Sequence, residues 1–329
     1  MKKYGRRILA VGLCFLVIVA VNFALPRMLP GNPVAYLTGM AEEDMTPVQI
    51  QYYTHALHLD EGIISQFWHY LVSLADGTLG YSFKKDAVVS ALIAERLGYT
   101  LQLTTPGVIL STLIGLAWGL RCGYHRGSPA DRISTVGMIV LNAIPGFLLG
   151  LTLILLCCFE HRWLPYTGVN SPHVTAETAA YWMDRVRHLF LPVLTLTLST
   201  LPSRYLLMRN TVEKIMDEKY VLYAKARGLS ESKILRCYIL PNVAQPFITM
   251  VGMSVSVCVG GSVLIENIFS IDGMGRLLTE AVYTLDYPLM QGILFVTTGI
   301  MALSILVTDL LCAAIDPRVR RRQADAEEA

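Results

Sequence analysis

The sequence predicts an all-α polytopic membrane protein with six transmembrane helices. Hydrophobic residues make up 53% of the 329 residues, whereas charged residues make up only 16%. The apolar residues fall into long runs without charge, each close to the ~20 residues that cross the hydrocarbon core of a bilayer. Since soluble domains carry about a quarter of their residues as charged ones, this composition excludes a soluble globular protein.

Five runs without charged residues predict five of these helices. They cover 8–26, 101–120, 133–159, 246–265 and 289–308. The sixth predicted helix, 189–208, is interrupted by Pro192 and Pro202 and carries Arg204 near one end. A long arginine side chain near a helix end can extend to the membrane interface, so 189–208 is retained as a span.

The distribution of lysine and arginine predicts how the chain crosses the membrane. With six spans, most of the 27 basic residues fall on one side. They are Lys2, Lys3, Arg6, Arg7, Arg121, Arg126, Arg132, Arg204, Arg209, Lys214, Lys219, Lys225, Arg227, Lys233, Arg236, Arg318, Arg320, Arg321 and Arg322. Because such residues concentrate in cytoplasmic loops, both termini and the loop after the fourth span are predicted to be cytoplasmic.

The first span has an alternative interpretation as a cleaved signal peptide. Lys2, Lys3, Arg6 and Arg7 precede the apolar run, as in a signal sequence. However, no small-x-small cleavage site follows, and cleavage would remove one of the six helices. We therefore interpret 1–26 as a signal anchor that forms the first transmembrane helix.

The segment 27–98, between the first two spans, is predicted to form a small helical cap outside the membrane. It carries an excess of acidic residues. Apolar residues at three- and four-residue spacing predict helices over 46–59 and 63–74. Thr46 and Pro47 are a suitable N-cap and first helical residue for the first of these helices.

Neither the cysteines nor the histidines predict a metal centre. The seven cysteines lie in or beside apolar spans, or on the cytoplasmic side where thiols stay reduced. Adjacent Cys157 and Cys158 point about 100° apart on a helix, so all seven are interpreted as packing residues.

All histidines except His125 fall on the predicted extracytoplasmic side. Among them, His55 and His58 have the spacing closest to that of a pair of metal ligands, and they are interpreted as part of a surface helix.

The loop after the fourth predicted span, which we call the 211–241 segment, is the most informative stretch of the sequence. Residues 211–227 are mostly good helix formers, and Gly228 supplies the permissive position that follows a helix end. Ser230 is expected to cap a second helix, and Pro241 is expected to stop it. The pattern predicts two short helices at an angle.

Two interpretations of the 211–241 segment remain open. A solvated loop beside anionic lipid explains the sign of its charge. A docking element that binds a groove of another protein also explains why a cap, a bend and a stop occur within one short stretch. We favour the docking element, because the small residues Ala224, Ala226 and Gly228 near the bend would let a partner come close.

The 211–241 segment resembles the EAA loop of bacterial ABC importer permeases. That loop has the pattern Glu-Ala-Ala, three residues, Gly, nine residues, Ile, one residue, Leu-Pro. In register, Ala224 matches the last Ala, Gly228 matches the Gly, and Leu240-Pro241 matches the terminal Leu-Pro. The sequence departs from the pattern at Leu222, Tyr223 and Tyr238.

Further stretches resemble the dipeptide, oligopeptide and nickel permeases, and together they span nearly the whole chain. Pro30-Gly31-Asn32-Pro33 resembles PGDP; ADGTLGYS at 75–82 resembles GDLGxS with Thr78 in place of the acidic residue; ENIFSIDGMGR at 266–276 resembles ETIFSxPGLGR; and 286–288 and 316–320 match DYP and DPRxR. The chain is thus similar to the binding-protein-dependent transport inner membrane component family.

The resemblance implies the ABC type I importer permease fold in a bacterial inner (plasma) membrane. It implies ATP-driven, binding-protein-dependent import of di- or oligopeptides, nickel or a metal chelate by alternating access. The implied partners are a second homologous permease in a heterodimer, two cytoplasmic ATPase subunits, an extracytoplasmic solute-binding protein and membrane lipid, with no nucleic acid. Because the sequence lacks a GxxxxGK[ST] motif, no catalytic residue or cofactor is assigned to this chain, and ATP and Mg²⁺ are expected on partner subunits.

Two sets of candidate site residues follow. The contact with the ATPases is expected to involve Lys219, Tyr220, Ala224, Lys225, Ala226, Arg227, Gly228, Leu229, Ser230, Leu240 and Pro241. Asn142 and Pro145, inside the third span, are expected to kink that helix and expose a carbonyl to the translocation path, although packing explains them as well. Glu266 and Asn267, at the outer end of the fifth span, are expected to face that path, the binding protein or interfacial water.

The predicted organisation is a first transmembrane helix at 1–26, an extracytoplasmic segment at 27–98, a five-helix permease core at 99–315 and a cytoplasmic tail at 316–329. An ATPase-independent secondary transporter or channel is the alternative, and an intramembrane enzyme is a third class. The former predicts ionisable residues deep in the spans or paired interrupted helices, and the latter a nucleophile and base on facing helices. The sequence shows neither pattern, and Gly260-Gly261 is interpreted as a close helix approach.

Overall fold

The computed structural model describes residues 12–13, 15–24, 28, 34–35, 44–56, 58–82, 84–172, 174, 178–260, 263–284 and 286–315. These residues are mostly helical. The helices are α1 (Phe15–Ala24), α2 (Pro47–Ala56), α3 (Ile63–Ala75), α4 (Val89–Tyr124), α5 (Pro129–Ala143), α6 (Gly146–Ile154), α7 (Ala179–Met216), α8 (Lys219–Ala226), α9 (Glu231–Ile234), α10 (Leu240–Gly260), α11 (Val263–Ile268), α12 (Met274–Tyr283) and α13 (Tyr287–Ile315). Two π-helical turns, Leu155–Glu160 and Leu235–Ile239, follow α6 and α9. The strands β1 (Tyr81–Ser82) and β2 (Ala87–Val88) pair antiparallel before α4.

Some predicted features lie outside the described residues. These are the basic residues at 2–7, Cys14, the turn at 30–33, His173, Gly261 and the tail at 316–329.

The two helices predicted in the 27–98 segment are confirmed as α2 and α3. Thr46 Oγ1 accepts a hydrogen bond from the Gln49 N–H at 3.3 Å, and Gln49 Oε1 accepts from the Thr46 N–H at 2.8 Å. This reciprocal capping box satisfies two backbone donors and fixes the start of α2 at Pro47. The helix ends at Ala56, earlier than predicted, and His58 then takes a left-handed conformation with φ 54°.

Three helices in the described part of the chain are long and apolar enough to cross a membrane. They run over Val89–Tyr124, Glu231–Val255 and Tyr287–Cys312, and a fourth candidate is α5 with its continuation Gly146–Glu160. Helix α1 is apolar but shorter. Helix α7 contains the predicted span 189–208 and is 38 residues long. Hydroxyl residues make α7 more polar; Thr195, Thr197 and Thr200 each donate to a carbonyl four residues earlier, which satisfies them within the helix.

The predicted span 133–159 is broken in the middle. Helices α5 and α6 meet at an angle of 92°. Ile144 is extended, with φ −85° and ψ 119°, because the residue before a proline is pushed out of the helical conformation. Pro145 is then the N-cap of α6. The predicted kink is confirmed, and the bend is sharp enough to divide the span into two helices.

The chain forms two compact units. The first comprises Met1–Leu101 and Val259–Leu303, and the second comprises Gln102–Cys258 and Ser304–Ala329. In the first unit, α1 packs on α13, where the rings of Phe15 and Phe295 lie 5.3 Å apart and Gln291 Nε2 donates to the Asn22 carbonyl at 2.6 Å. Its buried cluster joins residues of α4, α12 and α13, with Met274 completely buried.

Close contact between α4 and α7 organises the second unit. Small residues recur every four positions along α4, at Gly107, Ser111, Gly115, Gly119 and Gly123. A Cβ atom at Gly119 would lie 2.7 Å from the carbonyl oxygen of Tyr205, and one at Gly123 would lie 2.7 Å from that of Arg209. The two backbones therefore touch along this stripe, as in small-residue packing of membrane helices.

We expect Gly119→Ala to lower the free energy of unfolding by about 1–3 kcal/mol, because the added methyl group meets backbone that cannot rotate away. Thermal unfolding of the purified protein in detergent measures this. Gly137→Ala in α5 is the matched control, since a Cβ there has no heavy atom within 4 Å. Equal melting temperatures for the two variants would contradict the close contact.

Candidate functional site

The 211–241 segment begins with a helix break that the sequence did not predict. The expected helix over 211–227 is divided, because α7 ends at Met216 and α8 starts at Lys219. Glu218 is extended, and its carbonyl accepts from the N–H groups of Val221 and Leu222. Good helix formers surround the break, so local propensity is overridden by tertiary contacts of the connecting residues.

Those contacts come from the connection between α4 and α5. Arg126 donates to both oxygens of Asp217, each at 2.6 Å, and His125 Nε2 lies 3.0 Å from Glu231 Oε1. Hydrogen bonds from Arg126 are the main cause of a lowered pKa at the Asp217 carboxyl. Both side chains are exposed, so the ion pair adds little to the free energy of unfolding, and its main effect is to hold the two segments in position. Lys225 also lies over the ring of Tyr124, 5.6 Å from its centroid.

The end of α8 is a complete Schellman motif. Gly228 takes φ 71°, and its N–H donates to the Lys225 carbonyl at 2.9 Å. The N–H of Leu229 donates to the Ala224 carbonyl at 3.3 Å, and both side chains belong to one apolar cluster. The predicted role of Gly228 as the left-handed residue after the helix is confirmed.

Of two other predictions for this segment, the N-cap position of Ser230 is confirmed without its side-chain bond, and the stop at Pro241 is wrong. Ser230 occupies the N-cap position of α9, but its side chain makes no capping bond; its carbonyl accepts from the N–H groups of Lys233 and Ile234 instead. Pro241 does not stop the helix, which continues through α10. The π-helical turn Leu235–Ile239 directly precedes α10. Proline lacks an N–H and crowds the carbonyl of the preceding turn, and the wider π-helical turn accommodates it.

The side chains of α8 divide into an inner and an outer face. Val221 and Ala224 are buried against Val212 and Met216, which lie in the last turns of α7. On the outer face, Leu222 is 52% exposed and Tyr223 is 67% exposed. These are two of the three positions that depart from the EAA pattern. The exposed candidates are Lys219, Lys225, Ala226, Arg227, Gly228, Ser230 and Pro241, while Tyr220, Leu229 and Leu240 are partly buried.

A buried ion pair fixes the start of α5 against α7, and sequence reasoning missed it. Asp131 is only 2% exposed and accepts from Arg209 at 3.0 and 2.9 Å and from the Gly127 N–H at 2.9 Å. Arg209 also contacts Glu213. The sequence pattern that could have predicted the helix start is Ser128 followed by a proline and then Asp131. In the structure the Ser128 hydroxyl accepts from the Asp131 N–H, as an N-cap residue does.

The two candidate pairs for the translocation path have different surroundings. Asn142 and Pro145 lie at the bend between α5 and α6, and both are exposed. Glu266 lies on the separate short helix α11 rather than at the end of a continuous span, and it is fully buried. Asn267 is partly buried and donates to Thr279 Oγ1 at 3.1 Å. The expectation that Glu266 faces interfacial water is wrong.

The Glu266 carboxylate binds the first turn of α12. It accepts from the N–H groups of Gly275 at 2.8 Å and Arg276 at 3.2 Å, and from Thr100 Oγ1 at 2.9 Å. Thr100 Oγ1 in turn accepts from the Met274 N–H at 2.7 Å. A buried anion at a helix N-terminus satisfies donors that have no partner within the helix, so the ENIFSIDGMGR stretch and Thr100 of α4 together cap the start of α12.

A second buried carboxylate joins two of the recognised stretches. Asp286 is 1% exposed, accepts from the Ser82 hydroxyl and accepts from the Leu289 N–H at 3.2 Å. Burial raises the pKa of Asp286, against the opposing effect of the Ser82 hydrogen bond. The ADGTLGYS and DYP stretches therefore meet where α13 begins.

Three side chains in the 27–98 segment form a cluster with metal-ligating atoms. His58 Nδ1 lies 2.7 Å from Glu61 Oε1, and His69 Nε2 lies 3.2 Å from Glu61 Oε2. The histidine rings stack with centroids 4.0 Å apart, and the three ligand atoms lie within 4.8 Å of one another. Hydrogen bonds from Ser65 and then His58 lower the pKa of Glu61. His58 is thus associated with His69, and not with His55 as its sequence spacing favoured.

Arg204 does not extend to an interface as its position in the sequence suggested. It is 6% exposed on α7, and its Nε donates to Thr112 Oγ1 of α4 at 3.0 Å. Nη1 donates to the Thr200 carbonyl at 3.1 Å, and Nη2 donates to Ser254 Oγ of α10 at 3.0 Å. It also lines a cleft of about 800 Å³ between α7 and α10.

We expect Glu266→Ala to destabilise the protein by about 2–4 kcal/mol, because it leaves the first N–H groups of α12 buried without their anion. Glu266→Gln retains one acceptor oxygen and should cost less. Thermal unfolding in detergent is the measurement, and Glu280→Ala in the same unit is the control, since the partly exposed ion pairs of Glu280 with Lys85 and Arg276 should contribute only about 0–1 kcal/mol each. A Glu266→Ala protein that is as stable as the wild type would contradict the capping role of Glu266.

Comparison with known proteins identifies the family. Residues 111–321 match the model of the binding-protein-dependent transport system inner membrane component, and residues 1–104 match the N-terminal model of the same systems. The chain is 30% identical over 298 residues to "Probable peptide ABC transporter permease protein y4tP" of Sinorhizobium fredii, covering 91% of this chain and 92% of that protein. It is 30% identical over 315 residues to the glutathione transport system permease protein GsiC of Escherichia coli, covering 96% and 97%.

A solved structure supports the fold. The inward-facing MetNI methionine ABC transporter aligns with a TM-score of 0.52 at 16% identity, covering 68% of this chain and 96% of that chain. At that identity the likeness concerns the fold alone. Together with the family match over most of the sequence, it places the helices described above in a permease. The chain belongs to the binding-protein-dependent transport system inner membrane component family, the permeases of ABC importers.

Proposed function

We propose that this permease imports di- or oligopeptides, driven by ATP hydrolysis on separate subunits and supplied by an extracytoplasmic binding protein. The observation that carries this proposal is α8, whose exposed Leu222 and Tyr223 stand opposite a buried face packed on α7. The relatives named for peptide and glutathione transport support the substrate class.

The proposed topology has six spans with both termini in the cytoplasm and the 27–98 segment outside. The three or four apolar spans in the described residues support it, as does the bias of lysine and arginine. Helix α1 and the 189–208 part of α7 supply the remaining spans. This arrangement places the 211–241 segment in the cytoplasm of a bacterial cell, bounded by the inner membrane.

In this proposal the outer face of α8 docks in a groove of an ATPase subunit. Closure of the ATPases around ATP and Mg²⁺ moves α8, and the buried Val221 and Ala224 transfer that movement to α7. Because α7 touches α4 backbone to backbone at Gly119 and Gly123, the helices move together as a packed group. The bend at Asn142 and Pro145 is proposed to line the path that opens, whereas Glu266 acts by positioning α12.

The full assembly is proposed to contain a second, homologous permease, two ATPases and the binding protein. Affinity purification from the native host should recover both ATPases with this chain, and the reconstituted complex with its binding protein should take up a tripeptide only with ATP. Uptake without ATPases or ATP would instead support a secondary transporter or channel.

A nickel ion or metal chelate is the second candidate substrate. The cluster of His58, Glu61 and His69 supports it, because two imidazoles and a carboxylate suit nickel and zinc. Radioactive nickel offered to the same reconstituted complex separates the candidates. If peptide is taken up, and nickel is neither taken up with it nor inhibits it, the substrate is a peptide.

We expect Gly228→Val to reduce substrate uptake per ATP hydrolysed by about tenfold, because a β-branched residue at φ 71° costs about 1–2 kcal/mol and disturbs the end of α8. Gly77→Val is the matched control: Gly77 of the 27–98 segment has φ 78°, and, as at Gly228, a Cβ there meets nothing within 4 Å. Uptake and binding-protein-stimulated ATP hydrolysis are measured together. An unchanged ratio in Gly228→Val would show that this turn plays no part in coupling.

A further inference from the structure

We propose that Arg204 is the binding site for the carboxylate of the substrate, so that this permease selects peptides with a free C-terminal carboxylate. This inference rests on the proposed import of peptides. It assigns to one buried arginine a role in specificity that is separate from coupling to the ATPases.

The first argument is the charge of Arg204. Its three described hydrogen bonds go to Thr112, to the Thr200 carbonyl and to Ser254, all of them neutral acceptors. No carboxylate of the described residues forms an ion pair with it, in contrast to Arg209, which has Asp131. Neutral dipoles compensate a buried cation only in part, and an ionisable side chain inside a membrane protein commonly marks the path of a substrate or ion. The site is therefore complementary to an anion.

The second argument is the orientation of the guanidinium. The guanidinium donates its three hydrogen bonds to acceptors on three helices, α4, α7 and α10, which together fix its orientation. Arginine has five N–H donors, so one donor remains on Nη1 and one on Nη2. Two such N–H donors are enough to bind both oxygens of a carboxylate. The arginine is pre-organised before a ligand arrives.

The third argument is the cleft beside it. The cleft measures about 800 Å³ and is lined by Ser203, Leu207, Gln245, Met250, Met253 and Ser254, besides Arg204 itself. Its size is in the range of small-molecule sites, and an apolar wall with a few polar groups is typical of them. Met253 is 60% exposed, so the cleft is open to an entering ligand. Methionine adapts its shape to different partners, which suits varied peptide side chains beside one fixed carboxylate.

The experiment uses the complete transporter, with its ATPases and binding protein, in vesicles of phosphatidylcholine alone. Trialanine and trialanine amide are the two probes, since they differ only at the C-terminal carboxylate. We expect Arg204→Gln to reduce trialanine uptake about tenfold or more, because a charge-assisted hydrogen-bonded pair is lost. Uptake of the amide should be unchanged. The ratio of variant to wild type for each probe cancels the preference of the binding protein.

Two further variants separate binding from folding. Arg204→Lys keeps the charge without the guanidinium and should recover part of the trialanine uptake. Ser254→Ala keeps the guanidinium but removes the hydrogen-bond acceptor of its Nη2. It should raise the KM for trialanine several-fold with kcat unchanged. Arg132→Gln, which removes an exposed arginine of α5, is the control and should affect neither probe. In Arg132→Gln, binding-protein-stimulated ATP hydrolysis should also stay at the wild-type rate.

The outcomes are distinct. Equal loss of both probes in Arg204→Gln, or no loss of either, overturns the carboxylate site while leaving the peptide importer intact. An effect of Arg204→Gln that appears only when anionic lipids are added assigns the arginine to a lipid phosphate instead and also overturns it. If the wild-type complex takes up no trialanine at all, the proposed peptide function itself fails.

Discussion

Backbone contact between α4 and α7 is the constraint on which the second unit depends. A stripe of glycine and serine on α4 removes the side chains that would separate the helices, and carbonyl oxygens of Tyr205 and Arg209 occupy that space. Apolar burial drives helix association weakly where the surroundings are as apolar as the helix, so close packing and hydrogen bonds take its place. Once the helices touch, the side chains beside the stripe have fixed positions.

Arg204 and Arg209 show what this contact makes possible. Both lie on α7 beside the glycine stripe, since a Cβ at Gly115 would lie 2.8 Å from Arg204 Cβ. Arg209 meets a buried carboxylate and becomes part of the framework. Arg204 meets only hydroxyl and carbonyl oxygens and retains donors for a ligand. Two arginines on the same helix thus have different electrostatic surroundings because their neighbours differ.

Buried carboxylates hold the starts of three helices. Helix N-termini present N–H groups without partners, and these must be satisfied where water is scarce. Glu266 and Asp286 accept from N–H groups at the starts of α12 and α13, whereas Asp131 joins the start of α5 to Arg209. Each carboxylate is nearly or completely buried. Acidic residues in this sequence are therefore often parts of the fold, even where their position at a span suggested contact with substrate.

The sequence by itself determined the class of the molecule and the local features that depend on few residues. Charge-free runs gave the apolar helices, Thr46 and Pro47 marked a helix start, Gly228 marked a helix end, and Pro145 marked a break. Each of these follows from backbone preferences of neighbouring residues. The ordered motifs also identified the family, which matches 111–321.

Only the tertiary structure decided which distant residues meet. The break at Asp217 depends on Arg126, the burial of Glu266 depends on Thr100, and the partner of His58 is His69 instead of His55. The π-helical turn that lets a helix continue past Pro241 is likewise absent from any local pattern. Propensities describe a residue and its neighbours in sequence, whereas these contacts join atoms from separate helices, whose packing sets the burial and charge of each site.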